Sequence, residues 1–201
     1  MKKQHGWIVA SVTLILLLLA FNYLDFYAAS SRSNSNFSLS TARSGDMLPT
    51  GMAAPFKLTY QVRGADRLVE PLAEALLAEL NNLPAILEAV PVAEQAEFEA
   101  NTPLLVVEVD VDSFFWTPFY ARGMATAGVF FGSEGDVAWQ SGDALVLETS
   151  PAIKAEGDFT LEDTSWGLVS KPAYVQHMSN ALAKSIAEGL QKDVFTLPPG
   201  G

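Results

Sequence analysis

The sequence predicts an α+β fold: an antiparallel sheet carrying two helices on one face, preceded by a transmembrane helix and a flexible tether, in the order β-α-β-β-β-β-α. Three observations lead there. An uncharged apolar stretch opens the chain, several runs behind it alternate apolar with polar residues, and two further runs repeat their apolar residues at helical spacing. Each such helix has one stripe to bury, and a single sheet face can bury both.

Lys2 and Lys3 precede Trp7 to Leu24, 18 residues without a charge. As a helix this stretch would span about 27 Å, close to the thickness of a bilayer core. Residues 1–28 are therefore read as a cytoplasmic tip and a transmembrane signal anchor. The lysines put the N-terminus in the cytoplasm and the rest outside, a single-pass arrangement at the cell membrane. Ala28-Ala29-Ser30 would also serve as a cleavage site, so removal as a signal peptide stays open. Residues 29–55 are rich in Ser, Asn, Thr and Gly with no apolar period, which predicts a flexible linker. Residues 56–198 remain for the extracytoplasmic domain.

Charge separates along the same line. Residues 51–201 hold eight basic and 21 acidic side chains, a net −13, within a chain of net −11. Such a domain repels polyanions, which argues against a nucleic-acid partner.

Within the domain, Phe56, Leu58, Tyr60 and Val62 alternate with polar residues as on a half-buried strand. Leu68, Leu72, Leu76 and Leu80 then recur every four residues, and Pro71 suits a first helical turn, so a helix is expected near Glu70–Asn81. A short strand is placed at 86–92. Val107, Val109 and Val111 alternate with Glu108, Asp110 and Asp112 on the next strand. The Gly- and Ala-rich run from Gly123 is read as its neighbour, residues 132–142 as turns, and the run from Ala144 through Glu162 as further sheet. Ser170 is a plausible N-cap with Pro172 in the first turn of a closing helix, whose stripe is Tyr174, Val175, Met178, Ala181, Leu182, Ile186 and Leu190.

Catalytic chemistry is sparse. The chain has no cysteine and two histidines, His5 and His177, and the latter falls on the polar face of the last helix, where a solvated side chain is expected. Zinc and thiol chemistry are thereby disfavoured, no cofactor is expected and no catalytic residue is assigned. Glu108, Asp110 and Asp112 share a strand face at about 6.8 Å intervals. That spacing suits a hard cation or a carboxylate pair, and equally an ordinary solvent-facing strand.

The segment Ser113 to Tyr120 holds five rings. If the alternation of the valines continues, Phe115 and Phe119 enter the core, while Phe114, Trp116 and Tyr120 form an outer patch that binds a partner. A bulge near Ser113 or Pro118 would instead return some rings to the core, across the small residues of the neighbouring strand.

The strand at Phe56–Val62, the helix near Glu70–Asn81, the strands through Glu162 and the closing helix Lys171–Lys192 resemble, in element order alone, the extracytoplasmic domains of the lipopolysaccharide-assembly lipoprotein and of auxiliary lipoproteins of ABC transport systems. The lipidated cysteine of those families is missing. The resemblance implies a non-enzymatic partner domain of an envelope complex, tethered through its N-terminal helix and contacting a protein or lipid partner. A pilin-like structural subunit and a carboxylate-based glycan-active enzyme are the alternatives.

Overall fold

The computed structural model describes residues 11–13, 26–41, 55–64, 66–92, 102–133, 137–140, 144–147 and 153–195. Its frame is a six-stranded mixed sheet ordered β1-β8-β5-β4-β2-β3. The strands are β1 (Phe26–Thr41), β2 (Phe56–Gly64), β3 (Ile86–Pro91), β4 (Leu104–Thr117), β5 (Tyr120–Gly132) and β8 (Ile153–Leu168). A separate antiparallel pair joins β6 (Val137–Gln140), which lies in the expected turn region, to β7 (Ala144–Leu147), which lies in the run expected to be sheet.

The sheet is not antiparallel throughout. β2 runs parallel to both β3 and β4, while β4, β5, β8 and β1 pair antiparallel in turn. The physical reason lies in the first connection. Helix α1 (Asp66–Asn81) carries the chain from β2 back to the start of β3, and a strand entered after such a crossover runs parallel to the one before it. At the end of β2, Gly64 has φ of +116°, and a Cβ there would lie 2.0 Å from the Val109 carbonyl oxygen of β4. Only glycine fits this close approach.

The expected flexible tether is corrected over residues 29–41, while residues 42–54 lie outside the described residues. Phe26–Thr41 is strand β1, paired with β8 over its whole length from Phe26 against Leu168 to Thr41 against Ile153. Ala28 to Asn36 lie largely exposed on an edge strand, so the strand is held by its backbone ladder and by polar ties such as Ser31 to Asp163, and needs no apolar alternation. The transmembrane helix is likewise not supported. Among the described residues no helix is long and apolar enough to cross a membrane. Residues 11–13 are helical, and the rest of Trp7 to Leu24 lies outside the described residues.

Both helices cover one face of the sheet and touch each other. α1 presents Leu68, Leu72, Leu76 and Leu80, all essentially inaccessible, and the Tyr60 hydroxyl of β2 donates to the Ala73 carbonyl at 3.0 Å. Burial pushes the Tyr60 phenol up to about 12. α2 (Lys171–Gly189) is capped by Ser170, whose hydroxyl accepts from the Ala173 amide. It lies close over β5 because that strand turns Ala121, Gly123, Ala125 and Ala127 inward. A Cβ on Gly123 would be 2.5 Å from the Met178 sulfur. A π-helical turn, Leu190–Phe195, continues α2 and sets Phe195 edge-on against Phe56 and Phe131.

Candidate functional site

The rings of the β4–β5 hairpin are sorted by one extra residue. Val111 pairs with Ala125 and Ser113 with Met124, so Asp112 is a bulge opposed by no residue of β5. Before it the inward residues of β4 are Leu105, Val107 and Val109; after it they are Phe114 and Trp116, opposite Gly123 and Ala121. A bulge reverses which side chains face the core, and the small residues of β5 leave the space to receive these two rings.

The expected division of the rings is thereby inverted. Phe114 packs against the buried Tyr174 ring at 5.5 Å, with the Arg67 guanidinium 5.1 Å from its centroid. Trp116 donates its indole N–H to the Val169 carbonyl at 3.0 Å. Phe115 and Phe119, assigned to the core by simple alternation, are 55% and 66% exposed. Of the proposed patch only Tyr120 lies on the outer face, between Phe115 at 6.1 Å and Trp166 at 4.4 Å. Trp166 is 62% exposed and had no place in the sequence reading. Its signal was a break in the polar outer face of β8, where Lys154, Glu156, Asp158 and Glu162 give way to an indole.

The site is thus Phe115, Tyr120 and Trp166 on three adjacent strands, with Phe119 at the turn beyond them. The turn is fixed by both Thr117 and β8. The Thr117 hydroxyl donates to the Tyr120 carbonyl and accepts from the Tyr120 amide, and the Gly167 and Val169 amides donate to the Phe119 and Pro118 carbonyls. Arg122 stands opposite Phe115 and beside Thr164 in the ladder, adding a cation to the same face.

The three acids of β4 are not gathered. Glu108 binds the Arg63 guanidinium at 2.7 Å, Asp110 accepts from the Val111 amide at 2.7 Å, and Asp112 is the bulge. No group of three or more His, Asp or Glu arranged for a metal ion occurs among the described residues. Glu108 instead lines an open cleft of about 480 Å³ on the outer face, with Arg63, Phe130, Lys154, Glu156 and Asp158. Lys154 binds Glu156 at 2.6 Å there and lies 5.6 Å from the Phe130 centroid.

A second polar cluster lies on the helix side. The Asp163 carboxylate, fully buried, accepts from the Ser31 hydroxyl of β1 at 2.6 Å and meets His177 Nε2 of α2 at 2.9 Å. Burial favours the protonated acid, but the hydrogen bonds from His177 and Ser31 and the charge of His177 outweigh it and hold the carboxyl below its ordinary value. Burial, reinforced by the Asp163 charge, pushes the Tyr174 phenol far up. His177 is therefore a half-buried tie rather than a solvated surface group. Ser31 lies 3.1 Å from the same Nε2 that meets Asp163. A nucleophile relay needs the serine and the acid on opposite ring nitrogens, so the cluster joins β1, β8 and α2 and is not built as a triad.

Neither a protein-family model nor a curated protein matches the chain. Among solved structures it is similar to the PelC dodecamer from Paraburkholderia phytofirmans, with 11% identity over 79% of this chain and 95% of that one, at a TM-score of 0.36. It is similar also to a neuraminyllactose-binding hemagglutinin homolog from Helicobacter pylori, with 8% identity over 78% and 94% and a TM-score of 0.33. Likeness at this level assigns neither a family nor a site.

Proposed function

We propose that the chain is a non-enzymatic binding or assembly module of the cell envelope, and that its contact surface is the ring cluster at the β4–β5 turn. One observation carries this reading. Of five large hydrophobic side chains that stand exposed among the described residues, Phe115, Phe119 and Trp166 meet at one end of the sheet. Scattered exposed apolar groups are ordinary, whereas a contiguous set marks a contact site. Among the described residues Glu108 is paired with Arg63, and His177 is paired with Asp163 on the helix side of the sheet, away from the exposed rings. Placement in the envelope rests on the sequence, two lysines followed by 18 uncharged residues, a signature of export.

Hydroxyl-radical footprinting tests the proposal without assuming a partner. Phe115, Phe119 and Trp166 should oxidise readily in the purified chain and be protected in the native envelope fraction. Leu87, 71% exposed on β3 at the other side of the sheet, should oxidise equally in both. Equal oxidation of the rings in the two preparations would contradict it.

A further inference from the structure

We infer that the cleft on the outer face of the sheet binds a neutral glycan, with one sugar ring seated over Gly128. This site is separate from the ring cluster and goes beyond the contact reading. The ladders place Asn36, Asp158, Gly128, Glu108 and Arg63 in one row across β1, β8, β5, β4 and β2. Gly128 is exposed in the middle of β5, where a side chain would ordinarily strengthen the sheet. The internal reasons for such a glycine are missing. Its pairing with β4 and with β8 runs on without a register shift, so it is neither a bulge nor a corner. Its φ is not in the left-handed region, and a Cβ there would meet nothing within 4 Å. Gly123 on the same strand differs, because a Cβ there would strike the Met178 sulfur. A glycine inside a strand also marks the close approach of a ligand, and that reason remains for Gly128.

The walls of the gap select the ligand. Asp158 and Glu108 flank Gly128 at two strand spacings, with about 9.6 Å between their Cα atoms. Asp158 and Asn36 have no partner among the described residues, and Glu108 is held by Arg63 through Oε2 alone. Acceptors thus stand in the middle of the row, with the Asn36 amide and the Arg63 guanidinium as donors at its ends. A sugar hydroxyl both donates and accepts, so neighbouring hydroxyls of one ring use both kinds of group. Phe130 follows Gly128 on the same face of β5 and is half-buried, with no side chain of that strand between it and the gap. The face of an aromatic ring is negative and attracts the polarised C–H groups of a sugar. Charge selects a neutral ligand. Arg63 neutralises Glu108 and Lys154 neutralises Glu156, which leaves the cleft the single charge of Asp158. That charge repels an anion, and the two cations beside it repel a polycation. The same ion pairs hold the lining side chains in place before a ligand arrives, which lowers the cost of ordering them. At about 480 Å³ the cleft falls within the roughly 300–1,000 Å³ of small-molecule sites.

Gly128→Val puts a side chain into the gap, and valine suits a strand interior better than glycine does. Asp158→Asn keeps the shape of the wall and removes its charged acceptor. The full chain and both variants are titrated with cellopentaose, maltopentaose and N-acetylchitopentaose, three neutral pentasaccharides, with binding read by saturation-transfer NMR and calorimetry. The expected result is a Kd of about 1 mM or tighter for at least one of them. Gly128→Val should abolish that binding while its urea midpoint stays equal or rises, and Asp158→Asn should weaken it about tenfold. Failure of all three sugars to bind would overturn the inference. So would binding that survives Gly128→Val unchanged, or that is lost in Trp166→Ala instead, which would put the sugar on the ring cluster. A lower urea midpoint for Gly128→Val would also overturn it, because the fold itself would then need this glycine. The footprint of Phe115, Phe119 and Trp166 in the envelope fraction is read separately, so failure here leaves the contact reading standing.

Discussion

Trp116→Ala isolates the consequence of the bulge. The indole is partly buried against the core, so truncation costs about 2 kcal/mol, roughly half of what a fully buried ring would lose. It also leaves the carbonyl of Val169, a fully buried residue, without its 3.0 Å donor, which adds about 1 kcal/mol. A loss of about 3 kcal/mol is therefore expected. Trp116→Phe keeps most of the packing and should lose only the hydrogen-bond part, about 1 kcal/mol. Trp166→Ala removes a ring that is mostly in water and should change stability by about 0.5 kcal/mol or less. Urea unfolding of a chain beginning at Phe26 compares the three. The reasoning fails if Trp116→Ala and Trp166→Ala unfold at the same midpoint, because the two indoles would then not be sorted to opposite faces.

Two further outcomes follow from the helix-side cluster and from β1. The folded Asp163 carboxyl lies below its unfolded value, so the folded state binds fewer protons between the two. Its contribution is complete above the ordinary carboxylate range and is lost as pH falls through the folded pKa. Unfolding midpoints measured from pH 7 downward should fall more steeply for the native chain than for Asp163→Asn, which starts lower at neutral pH; parallel curves would contradict the assignment. A chain starting at Phe56 lacks β1, exposes the edge of β8 and deprives the buried carboxylate of the Ser31 hydroxyl. It should melt well below a chain starting at Phe26, and equal melting temperatures by calorimetry would show that β1 adds nothing.

What could be read from the sequence depended on whether burial is written in side chains. Leu68 to Leu80 and Ser170 with its following helix are legible because the stripe and the cap each need particular residue types. β1 is not, since an edge strand held by backbone pairing and facing water can be built of Ser and Asn as easily as a linker can. The parallel pairing of β2 follows from a crossover whose destination no local pattern records. At the site, the alternation of Val107, Val109 and Val111 is correct up to the bulge and inverted after it. The residues that show where it ends are on another strand: Gly123 and Ala121 leave space that Phe114 and Trp116 fill. Trp166 joins the cluster from 46 positions beyond Tyr120 through the β5–β8 register, a proximity that chain order does not reveal.

The central claim is that the exposed rings are surplus to the fold and therefore available for contact. The double variant Phe115→Ser with Trp166→Ser tests it most directly, by its urea unfolding free energy beside that of the unaltered chain. The account predicts a difference within about 1 kcal/mol, the range for surface substitutions at two sites. A loss of about 4 kcal/mol or more, the scale of core truncation, would contradict it: the rings would then belong to the core, and no contact surface would remain at that end of the sheet.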